Sequence, residues 1–521
     1  MKARKQKENK RKAVKSGKSK NKQTNKDTSF HTILTEFGLP SDYPANVEHA
    51  TDQITDEITD ETFAEYEDFR DVPTFTIDPH DAKDFDDALS FRQDEQGCYE
   101  VGVHIADVTY YVKPDDIIDR EAFKRATSVY LVDRTIHMLP EKLSNKICSL
   151  RPNEDKRCFS VLFTLNEQAE IRTSRIVRTV IRSCRRFSYE EAQKVIETGE
   201  GDLKEVILKL NELAKLLRDK RFENGAIDFD RYEAKFELDD KGKPISIHFE
   251  ESKESNHLIE EFMLLANRQV AEFIGKTTKG QSKKAFVYRI HEQPDAEKIR
   301  NFADFIGRFG YRLKTTGSKS ELTKNISKLL DKAKGKPEQN LIETLAVRSM
   351  QKAKYSTQNV GHYGLSFPYY THFTSPIRRY PDMMVHRLLS QYLKGGKSTH
   401  ADVYEELCNH CSAMEQLAAN AERASIKYMQ VEFMSDKIGQ VFNGIISGVT
   451  EWGLYVELNA NKCEGLIPMR SLDNDYYILD EKNYCLTGKH HKQVYRLGDP
   501  ITVKIAQANL QRKQLDFVLV D

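Results

Sequence analysis

The sequence predicts an α+β protein, with a large mixed domain followed by a small all-β barrel of the OB type. Three observations predict it. From Thr74 the hydrophobic pattern alternates as in strands, and beyond Leu258 helical periodicity takes over. The last 85 residues change character again, with short strand-like runs punctuated by glycine. No run of 18 apolar residues occurs, so no membrane-spanning helix is expected.

The chain has 521 residues, 39% hydrophobic and 31% charged, which is the profile of a globular protein with a polar surface. Its formal net charge of zero hides an asymmetry. Residues 1–26 hold 12 of the 80 Lys and Arg but only one acid, Glu8. The remainder carries 68 basic and 79 acidic side chains, so the body is acidic and the positive charge sits on a tail. A broad basic face for nucleic acid is therefore not indicated, and any polyanion site in the body must be local. Eight scattered cysteines and no apolar leader after the basic start fit reduced thiols and a cytoplasmic protein. Cys408 and Cys411 enclose His410, but no second ligand pair at zinc-site spacing accompanies them.

In chain order, residues 1–30 form a basic tail, of which 1–27 are too poor in apolar side chains to offset the entropy of ordering. The tail is either a solvated extension or a tether for RNA phosphates. Residues 31–70 read as a helical and linker segment: a short helix over Phe30–Phe37, stopped by Gly38 and Pro40, then an acidic stretch. Residues 71–434 form the large domain. Thr74–Asp78, Ala88–Arg92 and Tyr99–Ala106 read as strands, the last two joined by a turn over 94–97. Leu258–Phe273, Asp382–Leu393 and Tyr404–Met434 read as helices. Residues 437–521 form the barrel, with strands over Gly439–Ile446, Gly453–Leu458, Glu464–Met469, Ile501–Asn509 and Gln514–Val520, and one longer polar insertion.

The densest chemical signal is Asp78-Pro-His-Asp81-Ala-Lys-Asp84-Phe-Asp86-Asp87, five carboxylates within ten residues at the end of a strand. Crowded carboxylates repel unless a cation neutralises them, and oxygen ligands at this density suit Mg²⁺, Mn²⁺ or Ca²⁺. A solvated acidic turn is the plainer alternative, but Phe75, Ile77, Leu89 and Phe91 draw the segment towards a core. An EF-hand is excluded because Leu89 would occupy the position that needs glycine. Hydrolysis of a phosphodiester suits such a cluster, since two metal ions activate water and stabilise the leaving oxygen.

The second signal is His372-Phe-Thr-Ser-Pro-Ile-Arg378-Arg379-Tyr-Pro-Asp382. Two arginines on a proline-stiffened loop suit phosphate, through bidentate guanidinium bonding. A salt bridge to Asp382 at a helix start is the alternative. Tyr130 is either a core aromatic or one that stacks on a base. Two decoys carry less. Gly275-Lys276-Thr277 ends like a phosphate-binding loop but follows a helix, and His490-His491 lies in the polar insertion.

Taken together, these segments resemble the RNB-domain exoribonucleases, the ribonuclease II and ribonuclease R family. The blocks that carry the resemblance are Thr76-Ile-Asp-Pro with Asp84-Phe-Asp-Asp-Ala88, Val101–Asp107, Met138-Leu-Pro, Cys148–Pro152, Leu258–Met263 and Thr371–Pro381. They stand in family order, and the resemblance spans about residues 31–521. It implies an RNB catalytic domain followed by an S1-type OB barrel. The implied activity is processive 3′→5′ hydrolysis of single-stranded RNA to 5′-nucleoside monophosphates, with Mg²⁺ or Mn²⁺. No membrane and no obligate protein partner are implied, and a monomer is expected. By motif position Asp78, Asp84 and Asp87 correspond to metal ligands or their supports, and Asp86 to the essential catalytic aspartate. Arg378 corresponds to the arginine bracing the scissile phosphate, and Tyr130 to the aromatic that clamps the terminal nucleotide. Arg379, on the same stiff loop, is expected to contact RNA as well. Family members usually carry two cold-shock OB domains first, and the roughly 70 residues before Thr74 are too few for two barrels.

Overall fold

A computed structural model of the chain describes residues 33–520 except 96, 228–231, 277–282, 318 and 337. The basic tail, the first residues of the Phe30–Phe37 helix and Thr277 of the decoy loop lie outside the described residues. Residues 33–36 are helical, and Gly38 ends that helix with φ of 63°, a left-handed conformation that glycine adopts without steric cost.

A mixed seven-stranded sheet organises the large domain. Its strands are β1 (Glu67–Phe69), β2 (Thr74–Asp78), β3 (Asp87–Gln93), β4 (Tyr99–Ala106), β5 (Asp155–Leu165), β6 (Ile171–Arg182) and β7 (Arg185–Ser188), in the order β1-β6-β5-β4-β3-β2-β7. The edge pairs β1–β6 and β2–β7 are parallel, and the rest are antiparallel. Strand β1 joins the sheet ahead of residue 71, inside the stretch expected as a linker. It is three residues long with one buried side chain, too short for a periodic signal.

The central strands β4 and β5 are buried at nearly every position, so both faces of the sheet are covered. Helices α1 (Tyr189–Thr198), α2 (Lys204–Glu223) and α3 (Glu254–Gly275) pack together, and α3 lies against β4 and β5. Helix α4 (Tyr380–Leu393) meets β5 where His386 packs edge-on against Phe159, centroids 5.3 Å apart. Pro381 stands in the first turn of α4, where its missing N–H costs nothing. Helix α5 (Ala401–Ser435) runs 35 residues without a break. It contains no Gly or Pro, so nothing in its sequence terminates it.

Five strands close the C-terminal barrel: β8 (Val441–Thr450), β9 (Gly453–Leu458), β10 (Glu464–Pro468), β11 (Pro500–Asn509) and β12 (Gln514–Leu519). The expected strands match these to within a few residues. Gly453 is required at the β8–β9 turn, because φ is 138° and a Cβ would stand 2.0 Å from the Ile467 carbonyl oxygen. The polar insertion holds its own three-stranded sheet, Tyr477–Asp480, Cys485–Gly488 and Val494–Arg496, for which the sequence carries no clear signal. A further helical unit, Ala296–Ile306, Lys319–Ala333 and Gln339–Ser349, is likewise additional to the elements expected. Its core is separate from that of the sheet and takes in Leu497 from the barrel.

Candidate active site

Sheet register places the acidic loop. Strand β2 pairs with β3 at Thr74↔Ser90 and Phe75↔Leu89 and with β7 as far as Asp78↔Ser188. Asp78 thus ends one strand where Asp87 begins its antiparallel neighbour, and the 79–86 loop opens at that end of the sheet. The loop is pinned from outside. Ser149 accepts the Phe85 N–H and donates to the Lys83 carbonyl, and the Leu150 N–H donates to the Phe85 carbonyl. The Arg186 guanidinium donates to the Pro79 and His80 carbonyls.

Asp86 is the deepest acid of the cluster, 4% exposed. Its Oδ1 accepts the Ile377 N–H at 2.8 Å, and its Oδ2 lies 3.5 Å from Arg378 Nε. The two signals, 291 residues apart in the chain, therefore meet in space. Arg378 is braced in turn: its Nη2 donates to Ser375 Oγ at 3.0 Å, and its carbonyl accepts from the Ser128 N–H and the Thr127 hydroxyl. A Thr127↔Arg379 bridge and the Tyr380 N–H bond to the Ala126 carbonyl complete the junction.

This junction brings Tyr130 to the site. The residue lies in a short hairpin, Val129–Tyr130 with Thr135–Ile136, held to α5 by the Tyr130 N–H bond to Glu422 and the Val132 N–H bond to Ser425. The residue is 41% exposed, which removes the reading as a core aromatic. Burial of its hydroxyl pushes the phenol pKa up, with Arg378, Asp84 and Asp86 all within electrostatic reach.

Arg379 behaves differently from Arg378. Its Nη2 donates to Asp382 Oδ1 at 2.8 Å, and that same oxygen accepts the Ser375 N–H. Asp382 is fully buried. The helix-start salt bridge is thus formed by Arg379, while Arg378 keeps 41% of its side chain exposed.

Electrostatics follow from the crowding. Burial raises the carboxyl pKa of Asp86 well above the ordinary range, and Arg378 and the Ile377 N–H only partly offset it. Burial and the neighbouring Asp87 raise that of Asp78, and burial raises that of Asp87 against the pull of Arg378 and Arg379. Asp78 Oδ2 and Asp86 Oδ2 are buried without a hydrogen-bond partner. Two orphaned carboxylate oxygens within a group of repelling acids form a donor set that fits a hard divalent cation. Among the described residues, no three His, Cys, Asp or Glu side chains already stand as ligands about one point.

Comparison with known proteins identifies the two domains. The RNB domain model matches residues 66–395, and the S1 RNA binding domain model matches residues 435–519. Ribonuclease R of Aquifex aeolicus is 39% identical over 505 residues, covering 95% of this chain and 70% of that protein. The chain belongs to the ribonuclease R family. It spans 60% of another relative, ribonuclease R 1 of Lactococcus lactis, at 36% identity. Among solved structures, Mycoplasma genitalium RNase R in complex with ribose-methylated single-stranded RNA superposes with a TM-score of 0.87 at 27% identity, over 94% of this chain and 77% of that one. The ribonuclease R family is one of 3′→5′ exoribonucleases, and its two matched domains are the two that the sequence predicts.

Several residues of the site carry no signal that singles them out in the sequence. Ser149 lies in one of the family blocks, but its loop-pinning role needs the fold. Tyr189, at the start of α1, stands in the field of Asp87, Asp78 and Arg378, and carries no motif. The decoys settle plainly. Cys408 and Cys411 are buried free thiols, His410 bonds the Phe123 carbonyl, and the His490 and His491 N–H groups bond Asp475.

Proposed function

We propose that this chain is itself a hydrolytic, processive exoribonuclease that takes single-stranded RNA 3′ end first and releases 5′-nucleoside monophosphates. The observation that carries the reading is the meeting of Asp86 and Arg378 at 3.5 Å, close to the half-exposed Tyr130. A buried acid, a partly free guanidinium and an open aromatic face are what a nucleotide with its phosphate requires. Asp78, Asp84 and Asp87 would hold Mg²⁺ or Mn²⁺, supported by the orphaned oxygens of Asp78 and Asp86. When bound, such ions supply charge stabilisation and an activated water at the scissile phosphorus.

The protein's own groups do the remaining work. Arg378 donates to the non-bridging phosphate oxygens, whose charge grows as the water attacks. Ser375 and the Thr127–Ser128 backbone fix that guanidinium in place. The Ile377 N–H holds Asp86 by one oxygen and leaves the other turned towards Arg378. Tyr130 stacks on the terminal base and sets the nucleotide in register. Arg379 acts through Asp382 to hold the loop. The barrel supplies RNA affinity outside the site. The protein acts as a monomer, a reading supported by the origin of Asp86, Arg378 and Tyr130 in one chain. Eight cysteines, all free thiols, support the cytoplasm as its compartment. Among the described residues, no helix is long and apolar enough to cross a membrane.

Incubation of 5′-labelled RNA with Mg²⁺ tests the reading. Shortening from the 3′ end with mononucleotide release is expected, abolished by EDTA. The Asp86→Asn variant is expected to bind the same RNA without shortening it. A gel shift with intact RNA for the native protein would end the enzymatic reading and leave an RNA-binding protein.

A further inference from the structure

The acidic loop has a second side. Asp84 and Asp86 lie within electrostatic reach of Tyr130, while Lys83 and Phe85, alternating with them in the sequence, line a cavity of ≈ 590 Å³ whose lining includes neither aspartate. The cavity is strongly basic. Lys83, Lys142, Lys146, Arg151 and Arg186 line it, against the single carboxylate of Glu141.

Much of this charge is not already spent. Among the described residues Lys83 and Lys146 have no carboxylate partner, and Lys142 bonds only the Asp52 carbonyl. Arg151 meets Glu154 at 3.5 Å in an exposed pair worth little. Such a concentration of uncompensated cations around a concave site, in a body that carries net negative charge, focuses field on an anion. Arg186 connects the two faces. Its guanidinium holds the loop carbonyls of Pro79 and His80, lies 5.6 Å from the centroid of the Phe85 ring, and acts on the Asp78 carboxylate.

We propose that this cavity is a binding site for a nucleoside 5′-monophosphate, the product of the reaction, on the reverse of the catalytic loop. The inference rests on the exoribonuclease reading for the identity of the ligand. A phosphate monoester carries about two negative charges near neutral pH, more than any single internucleotide phosphate. It is therefore attracted to the basic lining of this cavity more strongly than an internucleotide phosphate is. Asn145 adds an amide to the lining, with an Oδ1 that has no partner, suited to a ribose or base donor. Occupancy would press on Phe85 and Arg186 and thereby link product concentration to the position of the acidic loop.

Calorimetric titration of the full chain with AMP, without RNA, tests the site. The expected result is saturable binding of AMP and much weaker binding of adenosine. Inorganic phosphate should compete with AMP if the phosphate is the anchor. The Lys146→Ala/Arg151→Ala variant should weaken AMP at least about tenfold, since each charge-assisted bond is worth more than that factor. Arg378→Ala should keep the component of AMP binding that the Lys146→Ala/Arg151→Ala variant loses. No AMP binding by the native chain, or equal affinity in the double variant, overturns the proposal. Loss of that component in Arg378→Ala instead would place AMP in the catalytic face and overturn it too. RNA digestion, measured separately, decides the exoribonuclease reading.

Discussion

The proposed chemistry concentrates in a few side chains whose neighbours dictate their roles. Asp86 has two oxygens in two situations, one receiving a backbone N–H and one turned to Arg378. Asn at this position keeps an acceptor for Ile377 but loses the charge, so Asp86→Asn is expected to fold normally. Its RNA digestion should fall by at least about a hundredfold with RNA affinity retained, as for loss of a charge-stabilising group in other active sites. Arg378→Lys should resemble Arg378→Ala in rate, because an ammonium cannot reproduce both the Ser375 bond and a planar grip on phosphate. Single-turnover digestion would show it, and near-native rates for the lysine variant would mean that charge alone suffices. Tyr130 makes its case through its ring. Tyr130→Phe should leave RNA affinity intact, whereas Tyr130→Ala should lose about tenfold or more, the usual worth of one stacked base.

Elements explain why the sheet tolerates polar residues in its middle. His104 of β4 is fully buried, with Nε2 on Ser90 Oγ and Nδ1 on Ser160 Oγ and Thr179 Oγ1. Gly102 lies beside it, where a Cβ would stand 2.4 Å from both His104 Nε2 and Ser90 Oγ. Gly102→Ala is therefore expected to destabilise by about 1–3 kcal/mol, the cost of overpacking, measurable by urea denaturation. Burial pushes the His104 pKa down to about 3. An unfolded chain takes up this proton near pH 6.5, whereas the fold refuses it until about pH 3. Stability present above pH 6.5 should thus decline as pH falls towards 3, by up to ~1.4 kcal/mol per unit from this group. A His104→Gln variant should show a shallower loss between about pH 7 and 5, and an identical slope would exclude His104 as the cause. The sequence shows Tyr99–Ala106 as a strand but not its hydrogen-bond network, because the partners come from three other strands. Long periodic elements such as α3 and α5 are legible, as are the barrel strands with their glycine turns. Strand β1 and the three-stranded insertion are not, being too short to carry a period. The helical unit over 296–349 is hidden inside a stretch that reads as one continuous domain.

At the scale of the molecule, the sequence joins the acidic loop and the arginine loop in one site through their complementary charge and through family resemblance. Nothing local in either segment requires the 3.5 Å approach of Asp86 to Arg378, which the Thr127–Arg379 bridge and the β2–β3 register impose. Charge distribution, by contrast, is fully legible in the sequence and carries a consequence of its own. The body holds 79 acids against 68 bases, while residues 1–26 hold 12 bases and one acid. A strand of RNA approaching this body meets a net repulsive field beyond the local site, and salt screens that field over about 8–10 Å. If the tail grips phosphates, its removal must lower both RNA affinity and the steepness with which affinity falls as salt rises. Every phosphate the tail no longer neutralises should reduce the logarithmic salt slope by about 0.7 for single strands. Deletion of residues 1–27 should therefore weaken RNA binding strongly at low salt and little at high salt, with the rate of chemistry at saturating RNA unchanged. Fluorescence anisotropy with a labelled single strand across a salt series measures it. Unchanged affinity at low salt would make the tail a solvated extension and leave the barrel and the catalytic domain to hold the RNA alone.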